Sequence, residues 1–172
     1  NYRYGQPKII FGRTDNNNNP APSITLGALS NNINVTLETY ESTQSGVANN
    51  PNGTTHTCSI ENVPLQRWTN LIVSLNTRAL DIYLDGKLVR TCVLPGVPKM
   101  NPSSNIILAP GGGFSGYTSE FRYIANAINP TQAYNIYKEG YGGSSIMGNL
   151  LNKYRIKLAF VKDGKDVNSF EI

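Results

Sequence analysis

Alternating apolar and polar residues predict β-strands along most of this chain, most clearly between Pro64 and Val93. Runs 71–76 and 80–84 each place leucine, isoleucine or valine at every second position, which is the period of a half-buried strand. The dipeptide Asp85-Gly86, which follows the second run, tolerates the positive φ of a hairpin turn. The stretch is therefore predicted to form three strands joined by two tight turns.

The same alternation recurs in shorter runs on both sides of this stretch. In the run 33–40, the apolar residues are predicted to face inward, and Asn34, Thr36 and Glu38 are predicted to face water. Further strands are predicted over residues 8–13, 23–29, 57–63, 105–109 and 119–125, the last with Phe121 and Tyr123 on one face. Ten residues of the predicted strands are expected to face the core: Ile24, Leu26, Val35, Leu37, Leu71, Val73, Leu75, Ile82, Leu84 and Phe121.

One short helix is predicted from Asn129 to Gly140. Asparagine is a favoured N-cap, Pro130 suits the first helical turn, and glycine is a common terminator. Ala133, Ile136 and Tyr137 form its predicted apolar face.

The final part of the chain, residues 142–172, is predicted to be a linker followed by a β-hairpin that turns at Asp163-Gly164. Such a terminal hairpin either closes the domain's own sheet or adds to the edge of a neighbour's sheet. The residues expected to contact a partner are the alternating apolar ones: Tyr154, Ile156, Leu158, Phe160 and Phe170.

Composition narrows the class of protein. The 172 residues are 39% hydrophobic and 15% charged, with Asn, Ser, Thr and Gly making up the difference, which is typical of a loop-rich all-β domain. The net charge of +4 is modest and its lysines and arginines are scattered, which argues against nucleic-acid binding. No apolar run reaches membrane-spanning length. Because Asn1 is expected to be internal to a longer protein, a membrane anchor outside the chain is compatible with the sequence.

Several motifs together resemble those of a known family. They are CSIENVPLQRW, LDIYLDGKLVRTCVLPGVPK and GGGFSGYTSEFRYIANAINPTQAYNIYKEG, which contain a Trp that opens a strand, a Tyr-x-Asp-Gly-Lys hairpin, a Gly-Phe-x-Gly bend and a closing helix. This pattern, over residues 7–141, resembles the laminin-G-like branch of concanavalin A-like lectin/glucanase domains. The wording KLVRTCVLPGVPK is most similar to the laminin-G-like proteins of large nucleocytoplasmic DNA viruses.

The resemblance implies a concanavalin A-like jelly-roll β-sandwich over residues 1–141, with residues 142–172 as an extension outside the family pattern. It also favours a disulfide between Cys58 and Cys92, against the alternative of two buried free thiols. Viral proteins of this type are often membrane-anchored or packed into the particle. The resemblance therefore implies a virion location, with an extracellular or membrane-anchored ectodomain as the alternative.

No candidate catalytic, cofactor or metal site emerges from the sequence. The Glu-x-Asp-x-x-Glu strand of glucanases on this fold does not occur, and two cysteines with one histidine are too few for a structural zinc site. Asp15 with the Asn16–Asn19 run is explained more simply as a solvated turn than as a calcium site. Asn34 and Asn52 begin N-glycosylation sequons. Tyr40, Tyr117 and Asn76 are weak candidates for a sugar site.

These observations predict a non-enzymatic virion structural protein, a minor capsid or virion-surface component that contacts other capsid or virion proteins. The alternative is a lectin-like module that attaches to host glycans. The alternating tail favours assembly, because a lectin needs only residues 7–141.

Overall fold

The structure, a computed structural model, describes residues 5–14, 20–40, 54–99, 104–141, 157–162 and 165–171. For the last two ranges it gives the course of the backbone. The positions Asp15 to Asn19, Asn52, Tyr154 and Ile156, named above, lie outside the described residues.

The chain folds as an all-β sandwich with one short helix, as the sequence predicts. A five-stranded antiparallel sheet has the order β4-β3-β2-β1-β8, and a three-stranded antiparallel sheet has the order β5-β6-β7. The elements are β1 (Lys8–Thr14), β2 (Pro20–Leu26), β3 (Ile33–Thr39), β4 (Thr54–Ile60), β5 (Leu71–Asn76), β6 (Ala79–Leu84), β7 (Lys87–Val93), β8 (Ile107–Leu108), α1 (Pro130–Glu139), β9 (Lys157–Lys162) and β10 (Lys165–Glu171).

The hydrophobic core lies between the two sheets and uses the alternate residues of their facing strands. Val35 and Ile82 have no exposed surface, and Leu80 is 1% exposed. Nine of the ten residues predicted to face the core belong to this cluster or pack against it: Ile24, Leu26, Val35, Leu37, Leu71, Val73, Leu75, Ile82 and Leu84. The prediction was wrong for Phe121, which is 45% exposed and lies outside the cluster.

The disulfide between Cys58 and Cys92 is confirmed, with a Cα–Cα distance of 6.1 Å. Cys58 lies in β4 and Cys92 in β7, so the bond joins an edge strand of one sheet to an edge strand of the other. Arg90 reinforces this connection by donating a hydrogen bond from Nη1 to the carbonyl of Ser59, at 2.8 Å. One side of the sandwich is therefore closed covalently.

Glu38 was predicted to face water, but it is 4% exposed. The chain returns alongside β3 at this point, where the Lys99 N–H donates to the carbonyl of Glu38 and the Tyr40 N–H to that of Val97, each at 2.8 Å. The ammonium of Lys99 lies 3.1 Å from Oε1 of Glu38, and the two side chains are 15% and 5% exposed. A strand-like return of the chain, which the period-2 pattern could not reveal, buries this carboxylate.

The outer face of the three-stranded sheet is covered by α1 and the residues before it. The N–H of Ile128 donates to Oγ of Ser74 at 3.0 Å, which ties the start of the helix to β5. Asn129 and Gln132 form a reciprocal capping box at the helix start, which confirms the predicted N-cap. Ala133 of the predicted apolar face is fully buried.

The strand predicted over 119–125 does not form in the structure. Glu120 has φ of 54°, a left-handed value that interrupts an extended run. Residues 114–127 also make no backbone-to-backbone hydrogen bond within the part of the chain described. Apolar and polar residues alternate in this stretch as they would in a strand, but no described strand pairs with it.

Candidate interaction surface

The two edges of the three-stranded sheet differ in how they are protected. The β7 edge carries Lys87 and Arg90, has an irregular register opposite Ile82 and Tyr83, and lies next to β4 at the disulfide. Charges and bulges are devices that keep an edge strand from pairing with other chains. The β5 edge has neither, because Leu71–Asn76 is uncharged and its pairing with β6 is regular.

The pairing of β5 shows which of its backbone groups remain available. The Asp85 N–H donates to the carbonyl of Asn70 at 2.9 Å, so these two opposed residues form a hydrogen-bonded pair. Because hydrogen-bonded and non-hydrogen-bonded pairs alternate along an antiparallel ladder, β5 bonds to β6 through its even-numbered residues. The N–H and C=O groups of Leu71, Val73 and Leu75 therefore point to the outer edge, where no described strand pairs with them.

Every residue of the segment 115–127 is exposed, and we call this segment the strap. Its side chains are held at a few points. The ring of Phe121 stacks on that of Phe11 with centroids 5.3 Å apart, and Ser119 Oγ donates to the carbonyl of Tyr141 at 2.6 Å. The strap is thus tied to β1 and to the end of α1 without being part of a sheet.

The strap and its neighbours expose many large apolar side chains. Tyr117 is 87% exposed and Tyr123 is 65% exposed. Others half exposed nearby in the chain are Ile106, Ile107, Leu108, Phe121 and Ile124. Single exposed apolar residues are ordinary, whereas a concentration of them is typical of an interaction surface.

Trp68 and Tyr141 form an aromatic pair at the start of β5. Their rings stack with centroids 4.5 Å apart and an interplanar angle of 9°, and both side chains are about half exposed. Beside them, Arg67 forms an ion pair with Asp85, and Oδ1 of Asp85 accepts a hydrogen bond from the N–H of Asn70 at 2.9 Å. The β6–β7 turn is thus attached to the segment that precedes β5.

The backbone conformation and the close neighbours of Gly86 explain why the β6–β7 turn contains glycine at this position. Its φ is 72°, and a Cβ atom there would lie 3.0 Å from Cβ of Tyr137 and 3.1 Å from Cα of Tyr134. The sequence predicted the turn from the Asp-Gly dipeptide, but the close approach of α1 is a second reason for glycine at this position.

Two ionisable groups have pKa values that the fold shifts. Burial, followed by the charge of Asp81, raises the pKa of Tyr83 above its ordinary value of 10.0. The hydrogen bond that the guanidinium of Arg122 donates to the carboxylate of Glu139 raises the pKa of Arg122, so this residue of the strap stays charged.

The other residues singled out in the sequence are dispersed. Asn34 is half buried on β3, opposite Thr25 on one side and Ser59 on the other. Tyr40 lies under the ammonium of Lys99, 5.2 Å from the ring centroid.

Within the described ranges, no group of three or more His, Cys, Asp or Glu residues could hold a metal ion. The described ranges also contain no helix of membrane-spanning length and apolarity.

The predicted C-terminal hairpin is present as β9 and β10. It forms a two-stranded sheet of its own and pairs with neither sheet of the sandwich. Its two strands differ in register, since β10 has a register irregularity between Asp166 and Asn168, whereas β9 contains the uncharged run Leu158–Val161 between Lys157 and Lys162. Leu158, Phe160 and Phe170, the predicted partner contacts among the described residues, lie on these strands.

The sequence did not reveal the strap or the aromatic pair. The one signal was the alternation over 119–125, which was interpreted as a paired strand. The stacking of Trp68 on Tyr141 joins residues far apart in the chain, and no local pattern predicts such a contact.

Comparisons with known proteins leave the family open. No protein-family model matches the chain, and no curated protein matches it significantly. Among solved structures, one that aligns is an S-layer domain-containing protein from Clostridium thermocellum (residues 221–444), 17% identical, with a TM-score of 0.35. The alignment covers 77% of this chain and spans 64% of that structure's length.

Proposed function

We propose that this chain is a non-enzymatic structural component of a large DNA virus particle, a minor capsid or virion-surface protein that acts through protein–protein contacts. The observation that carries the protein-contact role is the separate β9–β10 hairpin, which pairs with neither sheet. The virion location rests on the sequence resemblance to laminin-G-like proteins of large DNA viruses.

The free edge of β5 and the strap support the same role. The sandwich has an uncharged edge strand, β5, and an exposed strap that makes no backbone-to-backbone hydrogen bond within the described residues. In most folded domains such edges are covered or charged, because an open edge invites pairing with another chain. A protein whose task is to assemble with others has a use for both features.

Cross-linking mass spectrometry on purified particles tests this proposal. We expect the protein in the particles, with cross-links from Lys157 or Lys165 in the hairpin to another virion protein. Absence of the protein from purified particles, or cross-links confined to its own chain, would contradict the proposal.

A second candidate function is attachment to host glycans, and the Trp68–Tyr141 pair favours it. Sugars bind to exposed aromatic faces, and both rings of this pair are about half exposed. A glycan array should decide between the two functions. Selective binding that Trp68→Ala abolishes, with Tyr123→Ala as the matched exposed-aromatic control, would favour the lectin-like role.

A further inference from the structure

We propose that β9 of one copy of this chain adds as a strand to the free edge of β5 in a second copy. The inference rests on the proposed function, in that the hairpin acts by contacting protein, and it names both the partner and the acceptor edge. If each copy supplies its hairpin to the other, the product is a closed two-fold dimer.

The acceptor is defined by its backbone. Leu71, Val73 and Leu75 present their N–H and C=O groups outward, and the described strands leave these groups unpaired. Their side chains already pack against the core, so an added strand would extend an ordered edge. The opposite edge, β7, is charged, irregular in register and adjacent to β4.

The proposed donor strand, β9, resembles the acceptor strand, β5, in having an uncharged central run. The run Leu158–Val161 in β9 is uncharged, like the whole of β5, and the charges of β9 are confined to its two terminal residues, Lys157 and Lys162. The β10 edge is less suited, because its register is irregular after Asp166. The irregular register of β10 therefore favours β9 as the donor strand, and the charges and irregular register of β7 favour β5 as the acceptor strand.

The path of the chain also supports this choice. Tyr141 is stacked on Trp68, three positions before β5 begins, so the chain leaves the sandwich next to the acceptor edge. Residues 142–156 then lead to β9, and a stretch of that length spans up to about 50 Å when extended. In the structure, β9 and β5 of the one chain belong to different sheets, which leaves the edge open to a second copy.

Proline substitution gives a sharp test. The Val73 N–H points to the free edge, so Val73→Pro blocks an added strand without removing a hydrogen bond between β5 and β6. The matched control is Val93→Pro on β7. Because the Leu94 N–H donates to the carbonyl of Arg78 at 2.7 Å, the N–H of Val93 likewise points to a free edge.

The measurement is the mass of the full-length chain in solution, by light scattering and sedimentation from low to high micromolar concentration. We expect a dimer for the unmodified chain and for Val93→Pro, and a dimer Kd raised at least about tenfold by Val73→Pro. Phe160→Pro in β9 should have the same effect while leaving the sandwich intact, as reported by Trp68 fluorescence.

Amide hydrogen exchange adds a readout at the edge itself. The amides of Leu71, Val73 and Leu75 should exchange at least about tenfold more slowly at concentrations where the dimer forms. A chain that stays monomeric, or a dimer that Val73→Pro and Phe160→Pro both leave intact, overturns the inference. Either result would leave cross-links between the hairpin and other virion proteins as a separate test of the proposed function.

Discussion

The indole of Trp68 and the phenol ring of Tyr141 lie face to face, 4.5 Å apart between centroids, and join the segment before β5 to the residue that follows α1. The chain contains a single tryptophan, so its fluorescence reports on this contact alone. The stack fixes the point where the chain leaves the sandwich.

Removal of the stacking partner should therefore be visible spectroscopically. In Tyr141→Ala, we expect the emission of Trp68 to shift to the red and to become more accessible to acrylamide, because one face of the indole becomes solvated. Tyr123→Ala, which removes a 65% exposed ring of the strap, is the control and should leave the spectrum unchanged. Identical spectra for Tyr141→Ala and the unmodified chain would show that the rings do not stack in solution.

Removing one partner of the Glu38–Lys99 ion pair should lower the free energy of unfolding. Lys99→Met leaves a buried carboxylate without its cation, and Oε2 of Glu38 already has no hydrogen-bond partner. We expect a loss of about 3 kcal/mol in the free energy of unfolding, measured in urea. The double variant Glu38→Gln/Lys99→Met should lose clearly less, and equal losses in both variants would show that the charges are not coupled.

The raised pKa of Tyr83 predicts that the folded protein loses stability at alkaline pH. Its pKa in the folded protein is raised above 10.0, so the folded state holds the proton to a higher pH than the unfolded state does. The contribution is fully present below pH 10 and is lost as the pH rises through the folded pKa. Tyr83→Phe, measured in parallel, should show a smaller loss over this range. Parallel stability curves would contradict this assignment.

The disulfide should contribute substantially to stability. Cys58 and Cys92 are 34 positions apart, and closing a loop of this size is worth about 4 kcal/mol in the chain-entropy account. The double variant Cys58→Ser/Cys92→Ser should unfold at lower urea concentration, and reduction of the unmodified chain should approach the same midpoint. A midpoint unchanged by either treatment would indicate that the thiols are not joined in solution.

The sequence predicts β3, β5 and β6 well because apolar and polar residues alternate along these strands. The inward residues of β3, β5 and β6, the Asp85-Gly86 turn and the cap at Asn129 are local signals, and the structure confirms them. The disulfide was implied by a family resemblance, since spacing alone does not pair cysteines.

What the sequence did not predict depends on contacts between distant segments. Glu38 is buried by the chain returning at Lys99, and residues 119–125 remain unpaired although their pattern is that of a strand. The candidate surface was predicted in part, because the alternating tail signalled a hairpin. The free edge of β5, which is the proposed acceptor for the hairpin, could be identified only from the pairing of Asn70 with Asp85.

Cross-linking mass spectrometry on purified particles is the most direct test of an assembly role, because it shows what β9 and β10 contact. We expect cross-links from Lys157, Lys162 or Lys165 to a capsid protein or to another virion protein. Cross-links that stay within a single chain, or that reach only host material, would contradict an assembly role.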